Sequence, residues 1–203
     1  LNEIYNHAKL GKSGYVCVSN VHMLTETYKD LNFFNVLNEA SFIVPDGMPL
    51  VWLLKLKGFK DVERMAGYDV TQELMKKSSK DELPILFIGS TTKVLKGIEE
   101  QLKLTHPNLN VVDYISLPFR ELSESENNEL ISRINNLGPK IIFVAFGCPK
   151  QEIWMNKNKN NIDGLMVGIG GAFPLLAGHQ KRAPSRVRNM GLEWMFRLIL
   201  EPR

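Results

Sequence analysis

Six short apolar runs, separated by segments of helical spacing, constrain the fold of this chain more than any other feature. They fall at residues 15–19, 41–44, 85–89, 111–115, 141–146 and 165–169. Each is nearly continuous in apolar residues rather than alternating, as expected of strands buried on both faces of a parallel sheet. Parallel strands need crossover connections. The segments 21–40, 70–78, 93–104, 124–137 and 150–158 have the helical spacing to supply them. The alternation predicts a doubly wound α/β fold, Rossmann-like, with a mainly parallel sheet.

The chain has 203 residues, enough for one domain of ordinary size. Residues 177–184, rich in glycine, proline and charge, form the best boundary. The expected organisation is an α/β core at 1–178 and a C-terminal helical appendage at 179–203, with its helix at 187–200. Cys17 and Cys148 sit in apolar runs without paired spacing, which reads as buried thiols in a reducing compartment. No apolar run is long enough for a spanning helix, and no signal peptide is visible.

Net charge is +3, weak evidence by itself, and no nucleic-acid partner is expected. The distribution says more. Residues 179–203 hold Lys181, Arg182, Arg186, Arg188, Arg197 and Arg203 against Glu193 and Glu201, a local charge of +4, so the remainder is −1. Together with Trp194, Phe196 and Leu198, this end of the chain reads either as a helix packed on the core or as a basic segment for an anionic membrane surface.

In doubly wound sheets, ligands gather at the carboxyl ends of the strands. Ser19-Asn20, Asp46-Gly47, Gly89-Ser90, Gly147-Cys148 and Gly168-Ile169-Gly170-Gly171 all fall at such ends. Asp46 reads as a turn residue capping a helix, or as a carboxylate at a reaction centre. Arg64 reads as a surface cation paired with Asp61 or Glu63, or as a guanidinium able to hold two phosphate oxygens. Gln151, two residues after Pro149, is a first-turn helix residue or an amide that bonds sugar hydroxyls, with Lys150 beside it for a phosphate. His22 reads as a second base or, more simply, as a helix-face histidine.

Four separated motifs, in order, carry a resemblance. They are Val18-Ser19-Asn20-Val21-His22, Val44-Pro45-Asp46-Gly47-Met48-Pro49, Val62-Glu63-Arg64-Met65-Ala66-Gly67 and Phe146-Gly147-Cys148-Pro149-Lys150-Gln151-Glu152. With the C-terminal run from Arg182 to Arg203, they resemble the WecG/TagA/CpsF family of bacterial glycosyltransferases over nearly the whole chain. The resemblance implies inverting transfer of a sugar from a UDP-sugar, N-acetylmannosamine or a relative, to a polyprenyl-diphosphate-linked acceptor. The setting would be teichoic acid or another surface polysaccharide, at the cytoplasmic face of the cell membrane. It implies Asp46 as general base, with Arg64 and Arg197 on the leaving diphosphate. Asn20, Gln151 and Lys150 would contact substrate, with Gly47, Gly89 and Gly170 allowing close approach. The family commonly has Thr-x-Asn followed by an acid where this chain has Val18-Ser19-Asn20 and His22. Asn20 therefore carries over, the threonine does not, and Ser19 supplies the nearest hydroxyl.

Two other readings stand beside this one: a non-catalytic nucleotide-sugar-binding or assembly protein on the same fold, and an NAD-dependent oxidoreductase. The second is disfavoured because Phe173 breaks the dinucleotide fingerprint and the glycines follow the last strand rather than the first. No metal is expected, since neither a zinc-ligand spacing nor an Asp-x-Asp for a sugar diphosphate is present. No cofactor beyond the UDP-sugar substrate is called for. The sequence leaves a homo-oligomer open.

Overall fold

The computed structural model describes residues 1–184, 187–188 and 195–196. Its centre is a six-stranded sheet formed by β1 (Gly14–Ser19), β2 (Phe42–Pro45), β3 (Ile85–Gly89), β4 (Val111–Ile115), β5 (Ile141–Ala145) and β6 (Leu165–Gly168). The strand order is β2-β1-β6-β5-β3-β4, and every neighbouring pair is parallel. The six expected strands are all present, each within one residue of the apolar run that announced it.

Side-chain alternation divides the interior into two layers. Val16, Val18, Ile85, Phe87, Ile141, Phe143, Leu165 and Val167 face one cluster. Tyr15, Cys17, Leu86, Ile88, Ile142, Val144 and Met166 face the other. Consecutive strand residues are thus buried on opposite faces, which explains the unbroken apolar runs. The first layer is covered by α1 (Asn2–Lys9), α5 (Gly67–Asp81), α6 (Thr92–Thr105) and a short turn, α9 (Phe173–Leu176). The second is covered by α2 (Val21–Lys29), α3 (Leu31–Asn38), α7 (Glu124–Leu137) and α8 (Lys150–Asn158). One further helix, α4 (Met48–Leu56), follows β2.

The structure corrects two local expectations and leaves a third outside the described residues. The single helix expected at 21–40 is two helices. Asp30 takes an extended conformation that ends α2, and its side chain caps α3 by accepting from Asn32 N at 2.8 Å. Apolar spacing continues through the break and hides it. Helices α1 and α4 are additional to the expectation. α4 is nearly all apolar and so has no amphipathic period to detect. The expected helix at 187–200 lies mostly outside the described residues.

Chain path places the crevice. After β1 the chain leaves toward α2 and α3, and after β6 it leaves toward α9, on the opposite face. Adjacent parallel strands whose connections diverge in this way leave an opening at their carboxyl ends.

Candidate active site

That opening is a cavity of about 540 Å³. This lies within the roughly 300–1,000 Å³ range of small-molecule sites. Val18 and Asn20 from the end of β1, Asp46 and Gly47 after β2, and residues 168–172 after β6 line it. Arg64, Tyr68, Gln151 and Arg182 complete the polar part of the wall.

Asp46 is held from three sides. Its backbone N–H donates to Ser19 O at 2.6 Å, tying the end of β2 to the end of β1. Its Oδ1 is 3.5 Å from Arg64 Nη2, and its Oδ2 is 3.5 Å from the backbone N of Gly67 at the start of α5. A carboxylate facing a helix N-terminus is favoured by the helix dipole. The N-cap of α4 is Gly47, so Asp46 lies one residue outside the helix that follows it. Gly47 has φ of 129°, a conformation that would strain any residue with a Cβ. The chain can therefore turn sharply right after Asp46.

Arg64 is half-buried. It is positioned by the following residue, whose N–H donates to Pro45 O at 3.0 Å. Besides facing Asp46, its Nη1 donates to the carbonyl of Arg188 at 3.4 Å. The guanidinium thus spans the Asp46 loop and the C-terminal stretch, a geometry that a planar fork can satisfy.

A second ionic group adjoins the first. Asp69, in the first turn of α5, pairs closely with Arg182 and lies 3.8 Å from Arg188 Nη1. The Arg182 guanidinium also stacks over the Tyr68 ring, 4.5 Å from its centroid. These contacts fasten the described part of residues 179–188 to α5. Sequence reading counted Arg182 and Arg188 as charge within the C-terminal run, gave neither a site role, and did not single out Tyr68. The signal available for them was Asp69, an acid in a helix first turn.

Gln151 reaches the cavity wall while only 5% exposed, and Glu152 beside it is fully buried at 0%. Gln151 Nε2 donates to Glu152 Oε1 at 2.6 Å. Gln151 Oε1 has no hydrogen-bond partner among the described residues. The glycine run makes room for this side chain. A Cβ at Gly168 would come within 2.7 Å of Met155 Cε and 3.2 Å of Gln151 Nε2, and one at Gly170 would lie 3.0 Å from Gln151 Oε1. The glycines that invited a dinucleotide reading therefore admit a glutamine.

Burial pushes the pKa of Glu152 up to about 6, against smaller opposing effects from its hydrogen bonds to Gln151 and Cys148. The Cys148 thiol is pushed up to about 12, by burial first and then by the neighbouring Glu152 charge. Because the folded pKa of Glu152 exceeds the ordinary glutamate value of 4.5, the native state binds more protons than the unfolded state between the two values. Stability then falls as pH rises through that window. The ionised carboxylate costs about 2 kcal/mol above it. Glu152→Gln should accordingly gain stability relative to wild type as pH rises from 4.5 to 7, measured by denaturant unfolding at each pH. A constant difference across that range would contradict this.

The remaining expected site residues are distributed as follows. Asn20 lines the cavity, but its Oδ1 accepts from Met23 N at 3.0 Å as the N-cap of α2, leaving the amide nitrogen for a ligand. His22 lines the rim, 4.0 Å from the Glu26 carboxylate one helical turn away. Ser19 is buried at 3% exposure and is not part of the wall. Gly89 lies away from the cavity, where a Cβ would sit 2.5 Å from Ala145 O, so it serves the close approach of β3 to β5. Lys150 is exposed at the start of α8, outside the wall. Arg197 lies outside the described residues. Among the described residues, no group of three or more His, Cys, Asp or Glu side chains is placed to hold a metal ion.

Comparison with known proteins gives a consistent match. The family described as "Glycosyl transferase WecG/TagA/CpsF family" matches residues 1–203. An N-acetylglucosaminyldiphosphoundecaprenol N-acetyl-beta-D-mannosaminyltransferase of Bacillus subtilis (strain 168) is 30% identical over 204 residues, covering 100% of this chain and 77% of the relative. A protein of the same name from Bacillus spizizenii (strain ATCC 23059 / NRRL B-14472 / W23) is 30% identical over 192 residues, covering 94% of this chain and 73% of the relative.

Proposed function

The chain belongs to the WecG/TagA/CpsF family of glycosyltransferases, and from that premise we propose that it moves an N-acetylhexosamine from a UDP-sugar to a polyprenyl-diphosphate-linked sugar. N-Acetylmannosamine is the sugar of the named relatives and the first donor to test. Transfer is inverting and needs no metal. It serves teichoic acid or another surface polysaccharide at the cytoplasmic face of the membrane. No helix among the described residues is long and apolar enough to cross a bilayer.

The observation that carries this reading is the juxtaposition of Asp46 and Arg64, 3.5 Å apart on the wall of one cavity. An inverting transfer needs a base that takes the proton of the acceptor hydroxyl as it attacks the anomeric carbon. It also needs positive charge where UDP leaves as an anion. Asp46 supplies the first and Arg64 the second. Gln151 offers an acceptor for a sugar hydroxyl or amide N–H, and Asn20 a donor. Arg182, held over Tyr68, adds positive charge to the same wall. Arg197 assists Arg64 from the 179–203 appendage, which also contributes to membrane binding. Membership of a glycosyltransferase family displaces the reading of a protein that only binds nucleotide sugars.

The test is UDP release from a panel of UDP-N-acetylhexosamines with a lipid-linked acceptor analogue. Release should depend on both substrates and persist in EDTA. Activity lost to chelator and restored by Mg²⁺ or Mn²⁺ would remove the metal-independent mechanism. Release with no acceptor dependence would remove the transfer itself.

A further inference from the structure

Helix α4 presents its apolar residues to the wrong side for a sealed globular protein. Leu50 and Val51 face inward and are buried. On the opposite stripe, Pro49, Trp52, Leu53 and Leu56 recur at i, i+3, i+4 and i+7, where a surface helix ordinarily carries polar groups. Trp52 is 53% exposed, Leu53 48% and Leu56 86%, and Phe59 just beyond the helix is 61% exposed. Scattered apolar side chains on a surface need no explanation, but a stripe marks a contact.

Two observations identify what the stripe contacts. The first is charge. Lys55, Lys57 and Lys60 are exposed around it, and no Asp or Glu occurs from residue 47 to 60. A protein partner of ordinary composition does not demand uniform positive charge, whereas an anionic bilayer surface does. Tryptophan beside lysine is also the pairing that sits at the headgroup level, with the ring in the boundary and the ammonium in water. The second is position. Met48 and Pro49, the first turn of α4, line the cavity that holds Asp46. The stripe therefore grows directly out of the active-site rim.

We propose that the outward face of α4, with Phe59, is a membrane-docking surface that seats the cavity mouth on an anionic bilayer. This rests on the proposed lipid-linked acceptor and adds a contact distinct from the C-terminal segment. The surface brings the diphosphate of a bilayer-embedded acceptor to the level of Asp46 without extracting its lipid. Its lysines make the contact reversible and salt-sensitive.

The test compares full-length wild type with Leu53→Ser/Leu56→Ser/Phe59→Ser and with Lys55→Gln/Lys57→Gln/Lys60→Gln. Cosedimentation uses vesicles of phosphatidylcholine with and without phosphatidylglycerol. Wild type should bind the anionic vesicles and release from them at high salt. The apolar variant should lose roughly tenfold or more of that affinity, and the lysine variant should lose its salt dependence. UDP release with a water-soluble acceptor analogue should be unchanged in both. Failure of that release in wild type would count against the transferase reading and leave the vesicle result standing. Unchanged vesicle binding by the apolar variant would overturn the proposal. So would a loss confined to self-association in the ultracentrifuge, which assigns the stripe to a second copy. A fall in melting temperature with vesicle binding intact assigns it to a contact within the chain, and also overturns the proposal.

Discussion

Asp46→Asn should lower kcat by about 100-fold or more while UDP-sugar affinity and melting temperature stay close to wild type. The magnitude is that of a lost general base. Asparagine keeps the shape of the side chain, and its amide oxygen still accepts from Gly67 N, which Asp46 Oδ2 faces at 3.5 Å. The backbone bond from residue 46 to Ser19 O is untouched, so the turn at Gly47 persists. What disappears is the ability to take a proton from the acceptor hydroxyl. Loss of the negative charge also removes the carboxylate 3.5 Å from Arg64 Nη2, leaving the positive charge of the guanidinium less neutralised toward a phosphate. Donor binding should therefore hold while turnover falls. The opposite split, with weaker donor binding and normal turnover, would move Asp46 from catalysis to substrate positioning.

The sheet was legible because burial on both faces writes continuous apolar runs. Phe87 and Ile88 point into opposite layers, yet both are fully buried, and the same holds along β5 and β6. Breaks and edges were harder to read. Asp30 caps α3 through a local side-chain bond that apolar spacing does not register. Helix α4 hides for the reason that makes it interesting: its outer stripe is as apolar as its inner one.

The site was legible in part, through residues placed at strand ends. Asp46, Gly47, Asn20, Gln151 and Gly170 reach one cavity because β1, β2 and β6 are neighbours, or because their loops fold over that end of the sheet. Ser19 does not, since as the last residue of β1 it is enclosed between strands. Gly89 belongs to β3, two places away from the crevice across β5 and β6. The contribution of Tyr68 and Arg182 depends on residues 113 apart in the case of Arg182 and Asp69, a pairing no local pattern encodes.

Arg64→Ala should cost about 10²- to 10³-fold in kcat, the scale of removing one preorganised group that stabilises developing negative charge. Arg64→Lys should recover only part of that loss. Arg64 works through two arms: Nη2 faces Asp46 at 3.5 Å and Nη1 donates to Arg188 O at 3.4 Å. An ammonium restores the charge but presents a single point, so it cannot reach both partners and also hold two phosphate oxygens. The two variants separate charge from geometry. If charge alone matters, Lys rescues Ala fully and the two-armed reading fails. If Arg64 only anchors the C-terminal stretch, both variants should lower melting temperature and mobilise residues near Arg188, with UDP affinity unchanged. The catalytic reading instead expects UDP affinity, measured by calorimetry, to fall in Ala and return in part in Lys, while kcat stays well below wild type in both. A lysine variant whose turnover equals that of wild type would remove Arg64 from the role of fixed, bidentate partner to the leaving diphosphate.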